Sequence, residues 1–344
     1  MTSKLSRGAA AILAAGCLLA VSAPAQAEPW DTPGDAGVAA ADLVDAGAAA
    51  EAESLDGLDG ESAAEAAGAA AAPWGEVARV AANTRHAQFD AIVRVGNCSG
   101  SIIALPDAEP GDQALILTNG HCYNNRMRAG DVVTNMPSRQ RVYLFAGDRA
   151  RKIGTLTTTR ALYSTTTGSD ITIFDAGITY EELYRRYRTI PRIVANDTAG
   201  PGTGVQVTSG YWKRSYDCTI TANVDKLKEG GWTWQGAFRM EGPGCSTRSG
   251  SSGSPVIDST GRVVAVNNTA NFHGNYCTDV NACEVNLDPR SGYTNTTVHR
   301  GARYATRVDQ LAGCFTHSRT DLGRWECELY GGAAHTGHDQ NYWR

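Results

Sequence analysis

From about residue 91 onward, apolar and polar positions fall into short runs rather than long amphipathic stripes. Residues 91–95 (AIVRV), 101–105 (SIIAL), 114–118 (ALILT), 141–145 (RVYLF), 170–174 (DITIF), 205–209 (VQVTS), 255–257 (PVI) and 262–267 (RVVAVN) are rich in Val, Ile, Thr and aromatic side chains. Gly, Pro, Asn and Asp bound them, which is the pattern of β-strands separated by turns. Many short strands at this spacing predict an all-β sandwich or barrel. Helical periodicity is confined to 178–188 and 306–314. No fixed-period repeat is present.

The first 72 residues break this pattern. Lys4 and Arg7 precede an apolar run over 9–21, followed by small residues at Ala25 and Ala27. A positive leader, a short apolar core and an A-x-A site predict a secretory signal peptide over 1–27, cut after Ala27. The run is shorter and richer in alanine than the ~20 apolar residues that span a bilayer. Residues 28–72 carry eleven acidic residues and no Lys or Arg. Their Ala/Gly-rich composition buries too little apolar surface to offset the entropy of ordering. This segment reads as a solvated linker or as a pro-segment removed on maturation.

Charge and cysteine content take on meaning once the chain is divided. The net charge of −5 averages −9 over residues 1–72 and +4 over 73–344. With 42% hydrophobic and 19% charged residues, wholesale disorder is excluded. Weak net acidity argues against a dedicated nucleic-acid binder. Nine cysteines become eight when Cys17 leaves with the leader: Cys98, Cys122, Cys218, Cys245, Cys277, Cys283, Cys314 and Cys327. An even count in an exported chain implies up to four disulfides. No C-x-x-C spacing suggests zinc, and no metal site is expected.

Three residues carry candidate chemistry. Ser252 lies in GSSGSP (250–255), where flanking glycines permit the tight turn and free backbone N–H groups that a nucleophilic serine needs. A flexible Gly/Ser loop would have the same composition. The G-x-S-x-G elbow of another hydrolase fold requires a helix after the serine, and a strand-like run follows instead. His121, in TNGHC (118–122), ends an apolar run beside a cysteine and is a candidate general base. Asp170 opens DITIF and could orient a histidine; Asp148 and Asp175 are rival carboxylates. The chain past Cys327, with the HxxH pair His335/His338, reads as an exposed, solvated tail, and the basic run 185–188 as a solvated helix face.

Taken in order, these blocks resemble the chymotrypsin-fold (trypsin-like) serine peptidases. CSGSII (98–103) is similar to that family's C-G-G-S-L-I strand and TNGHC to its T-A-A-H-C block. SDITIF (169–174) is similar to its D-I-A-L-L strand and GSSGSP to G-D-S-G-G-P, while YATRV (304–308) looks like its last strand. The resemblance covers about residues 80–315. It implies two orthogonal antiparallel β-barrels, dividing near 180–200 within a domain over 73–315. A C-terminal helix and a short disulfide-linked extension over 316–344 would complete the chain. It further implies Ser252 as nucleophile, His121 as general base and acid, and Asp170 as orienting carboxylate, with the N–H groups of Gly250 and Ser252 as oxyanion hole. A Cys98–Cys122 disulfide would lie beside the histidine. Among the 105 possible pairings of eight cysteines, Cys218–Cys245, Cys277–Cys283 and Cys314–Cys327 are preferred.

Two departures bear on mechanism. Ser251 stands where animal members have an aspartate that accepts a freed N-terminus, so that route of activation is not supported; GSSGSP is closer to bacterial exported members, including the glutamyl-endopeptidase-like group. Ser246 stands where Lys/Arg-selective members carry a carboxylate. Ser246, Thr247, Asn267, Asn268 and Thr269 are the expected pocket residues and predict a polar or restricted pocket. The resulting expectation is a secreted, monomeric serine endopeptidase, made as a zymogen, acting on proteins or peptides. It would need no cofactor, bind no nucleic acid, and hold no membrane after loss of the signal peptide. A catalytically silent binding module and a secreted structural or adhesion protein are the rivals.

Overall fold

The computed structural model describes residues 88–123, 127–287 and 294–333, all within the compact unit Glu61–Arg344. The expected signal peptide and acidic segment, the first residues of the 73–315 domain, and His335 and His338 lie outside the described residues.

Nine strands build the first sheet: Ile92–Val95 (β1), Cys98–Ala104 (β2), Gln113–Thr118 (β3), Val132–Pro137 (β4), Arg141–Ala146 (β5), Arg151–Thr157 (β6), Arg160–Thr165 (β7), Ile171–Thr179 (β8) and Arg192–Ile193 (β9). Their order is β4-β7-β8-β3-β2-β1-β5-β6, antiparallel throughout, with β9 alone joining β2 in parallel. The sheet closes because β6 and β7 are nearly one strand. At their junction Thr158 N–H donates to the Gln140 carbonyl (3.0 Å) and Thr159 N–H to that of Asp175 (3.1 Å), so the chain changes partner from β5 to β8 within two residues.

Six further strands close a second ring: Gly204–Ser209 (β10), Arg214–Glu229 (β11), Trp232–Glu241 (β12), Pro255–Asp258 (β13), Val263–Ala270 (β14) and, after the hairpin Cys283–Leu287 (β15) and Thr294–Thr297 (β16), Arg303–Arg307 (β17). The order β10-β13-β14-β17-β12-β11 is completed by a β10–β11 pairing, and β15–β16 extends from the far end of β11.

The continuous apolar runs have a physical cause: both faces of their strands are buried. Ile102, Ile116 and Phe174 point into the first barrel. Their sequence neighbours Ile103, Leu117 and Ile173 pack with Val263 and Val266 of the second barrel and with Leu311 and Leu329 near the C-terminus. The longest strand, β11, instead alternates, burying Tyr216, Cys218 and Ile220 and leaving Asp217 and Thr219 exposed, so its polar face conceals it in the sequence.

The helix expected over 178–188 forms as Tyr180–Tyr187 (α1). Thr179 and Glu182 make a reciprocal capping box, and Arg188 ends the helix in the left-handed region. Arg185 and Arg186 are exposed and pair with Glu182. The helix expected over 306–314 does not form as an α-helix. Arg303–Arg307 is held in the ladder between β12 and β14, leaving only a six-residue 3-10 helix, Asp309–Cys314. Nor is the chain beyond Cys327 an exposed tail as far as residue 333. Leu329 is fully buried, and the Tyr330 carbonyl accepts a hydrogen bond from Tyr163 Oη (3.0 Å).

Four disulfides join Cys98 to Cys122, Cys218 to Cys245, Cys277 to Cys283 and Cys314 to Cys327. Such density marks a domain folded outside the reducing cytosol. No helix among the described residues is long and apolar enough to cross a membrane.

Candidate active site

His121 is delivered by the end of β3. After Thr118 the chain enters a 3-10 turn, Gly120–Cys122, and the Cys98–Cys122 disulfide ties that turn to the first residue of β2. Gly120 is required by packing, since any Cβ there would overlap the Thr165 carbonyl. His121, Cys98 and Cys122 offer ligand atoms within 4.8 Å of one another, but both sulfurs are committed to the disulfide and cannot act as thiolates.

Asp170 sits just ahead of β8, fully buried. Its Oδ2 lies 2.6 Å from His121 Nδ1, and its Oδ1 accepts the His121 backbone N–H at 2.9 Å. The loop before it is fastened to the second barrel. Trp234 Nε1 donates to the Thr166 carbonyl (2.9 Å), and Gly168 exchanges backbone hydrogen bonds with Thr233 and Gln235. The rival carboxylates are engaged elsewhere: Asp148 accepts from Gln88 N–H and Asp175 from Gly177 N–H.

Two influences oppose each other at His121. Burial pulls its pKa down, while the Asp170 carboxylate, by charge and by hydrogen bond, and the Glu229 charge push it up. The side chain keeps 42% of its surface accessible, so desolvation is incomplete and the pKa is raised above the ordinary histidine value.

Ser252 lies between β12 and β13 on a turn whose geometry is set one step earlier. Ser251 N–H donates to the Arg248 carbonyl (2.8 Å), and Gly250 has φ +88°. These define a type II turn with glycine at its third position, where a side chain would be strained. Ser251 is fully buried, and its Oγ accepts the Arg248 N–H. Ser252 O accepts from Ser99 N–H of β2 (2.8 Å), joining the loop to the first barrel. The Asn119 amide completes this link, donating to the Asp170 carbonyl (2.8 Å) and accepting from Gly253 N–H (2.5 Å). Ser252 Oγ donates to the Asn268 carbonyl at 3.4 Å; among the described residues no hydrogen bond joins it to His121.

The expected pocket residues separate into three groups. Asn268 and Thr269 line a cleft of about 580 Å³ together with His121, Tyr123, Trp232 and Trp234. Asn267 turns away, its amide donating to the Ser251 carbonyl (3.1 Å), so it supports the serine loop. Thr247 is buried with its carbonyl bonded by Arg303 Nε (3.0 Å), and Ser246 is exposed. Glu229 also lines the cleft and was not expected there. Its carboxylate accepts from Thr269 Oγ1 and from Val280 N–H (2.8 Å), and burial raises its pKa. In sequence it stands within KLKEGG, a hairpin turn like many others; the β11–β12 hairpin, bonded through Thr233 and Trp234 to the loop before Asp170, and Val280 of the Cys277–Cys283 loop place it at the cleft.

Residues 98–266 match the family model of the trypsin-like peptidase domain, a span that includes His121, Asp170 and Ser252. No curated protein matches the chain significantly. Among solved structures, the chain is similar to the MamO protease domain from Magnetospirillum magneticum, with 13% identity and a TM-score of 0.42, covering 67% of this chain and 98% of that one. It is also similar to a mutant of Rv3671c from M. tuberculosis in its inactive form (15% identity, TM-score 0.37, 69% and 86% covered). The active form of that protease gives 16% identity, a TM-score of 0.34, and 62% and 78% coverage.

Proposed function

We propose that this protein is a secreted serine endopeptidase that cleaves peptide bonds through an acyl-enzyme. The observation that carries the reading is the 2.6 Å pairing of His121 Nδ1 with a fully buried Asp170, on a loop joined through Asn119 to the Ser252 turn. Asp170 holds the imidazole with Nε2 toward the cleft and stabilises its cation. Ser252 Oγ leaves the Asn268 carbonyl by rotation about χ1, gives its proton to His121 Nε2 and attacks the scissile carbonyl. His121 then protonates the leaving amine, and water repeats the sequence to release the acid. The N–H groups of Gly250 and Ser252 receive the oxyanion; among the described residues neither donates elsewhere. Asn268 and Thr269 border the substrate beside His121. In this reading residues 1–27 are removed on export and 28–72 on maturation, and the enzyme works as a monomer.

A fluorophosphonate probe tests the proposal. Folded wild-type protein is expected to label covalently, and Ser252→Ala to abolish labelling without loss of fold. A folded wild type that stays unlabelled would leave a silent binding module or a structural protein as the better account. N-terminal sequencing of the exported protein tests the two cleavages.

A further inference from the structure

A trans peptide points its N–H and its C=O in opposite directions, so fixing one fixes the other. The two peptides that would offer N–H groups to an oxyanion are Ser249–Gly250 and Ser251–Ser252. The second is held through its carbonyl by Asn267 Nδ2 (3.1 Å) and Ser254 N–H (3.0 Å), both within the serine loop and its neighbouring strand. The first is held from farther away: Trp212 Nε1 donates to the Ser249 carbonyl at 2.8 Å. The sequence does not mark Trp212, which lies in the β10–β11 turn and is exposed.

Its indole is itself fixed on several sides. Tyr211 meets it edge-on at 5.0 Å between ring centroids, and the Arg248 guanidinium stacks over it at 3.7 Å. Arg94 of β1 caps Tyr211 at 4.7 Å. The backbone N–H of Trp212 donates to Ser209 Oγ, which pairs with Ser99 Oγ, and Ser99 Oγ in turn donates to the Gly250 carbonyl (3.0 Å). Carbonyls on both sides of Gly250 are therefore tied down. A side chain at residue 250 would overlap the Tyr211 ring, so the turn rests directly on this aromatic pair.

We propose that Trp212 is a positioning residue for catalysis, its indole N–H locking the Ser249–Gly250 peptide so that the Gly250 N–H faces the oxyanion. The inference rests on the peptidase reading. Without the lock, a peptide flip would turn the Ser249 carbonyl toward the developing negative charge. Tryptophan offers one donor and no acceptor at this atom, so the interaction can be removed alone.

The experiment compares wild type with Trp212→Phe, and with the protein carrying benzothienylalanine at 212, which has sulfur in place of the N–H. Losing a direct oxyanion donor costs 10²–10³-fold in kcat; losing its anchor is expected to cost about 10–100-fold. KM should change little, and affinity for a peptide boronic acid should fall in parallel with kcat. Thermal midpoints near wild type would separate this from general loosening; if Trp212→Phe does not fold, the isosteric replacement decides. Unchanged kcat and boronate affinity in a folded variant would overturn the role of Trp212 while leaving the peptidase reading intact. A wild type that neither labels nor cleaves would overturn the peptidase reading, and this role with it.

Discussion

Glu229 acts on His121 through its charge, and this is where single residues tune the site. In the proposed reaction His121 must be unprotonated to accept the serine proton, so the acidic limb of kcat/KM would report the histidine. Because His121 is raised, that limb should lie above the ordinary histidine range. Glu229→Gln removes a negative charge that favours the imidazolium, so the pKa falls and the limb moves to lower pH. A pH profile with any small peptide substrate checks this, and an unmoved limb would remove Glu229 from the electrostatics of the site. His121 and Ser252 are visible in the sequence because their surroundings, an apolar run ending at a cysteine and a serine between glycines, are local. Glu229 and Trp212 lack any local signature, since one closes an ordinary hairpin and the other sits on an exposed turn.

At the scale of elements, the site depends on how strand ends are pinned. The disulfide Cys98–Cys122 spans 24 residues and holds the 3-10 turn of His121 against β2. A loop of that size is worth about 3 kcal/mol, chiefly through the unfolded chain. Replacing both cysteines by alanine should lower the unfolding free energy by about that amount in a urea titration. A loss well under 1 kcal/mol would mean that the turn is held by Asn119 and Asp170 instead. Strands with two buried faces, such as β2, β3 and β8, were legible because their buried positions are all apolar or small and only Gln113 and Asp175 interrupt them. Strands β4, β6 and β11 were not, because their exposed positions carry Arg, Lys, Asp, Asn and Thr, and their pairing rather than their composition makes them strands. Of the helix expected over 306–314, residues up to Arg307 pair with two strands and the remainder winds as the 3-10 helix Asp309–Cys314.

For the whole molecule, the decisive surface is the one shared by the first barrel, the second barrel and the C-terminal segment. Leu329, fully buried among Leu162, Tyr163, Leu311 and Phe315, belongs to it. Leu329→Ala should therefore cost about 2–5 kcal/mol of stability, readable as a drop in denaturation midpoint, although the residue lies past the last disulfide. A change below 0.5 kcal/mol would show that the extension is only draped on the barrel. The sequence by itself determined the all-β class, the division between an acidic leader and the strand-rich remainder, and the blocks that hold His121, Asp170 and Ser252, because each rests on local composition and spacing. Only the tertiary structure decided which carboxylate meets His121, what lines the cleft beside it and which side chain holds the turn before Ser252. Those contacts join residues 37 to 51 positions apart, and a distance of that kind is set by barrel closure, not by anything a short stretch of chain can express.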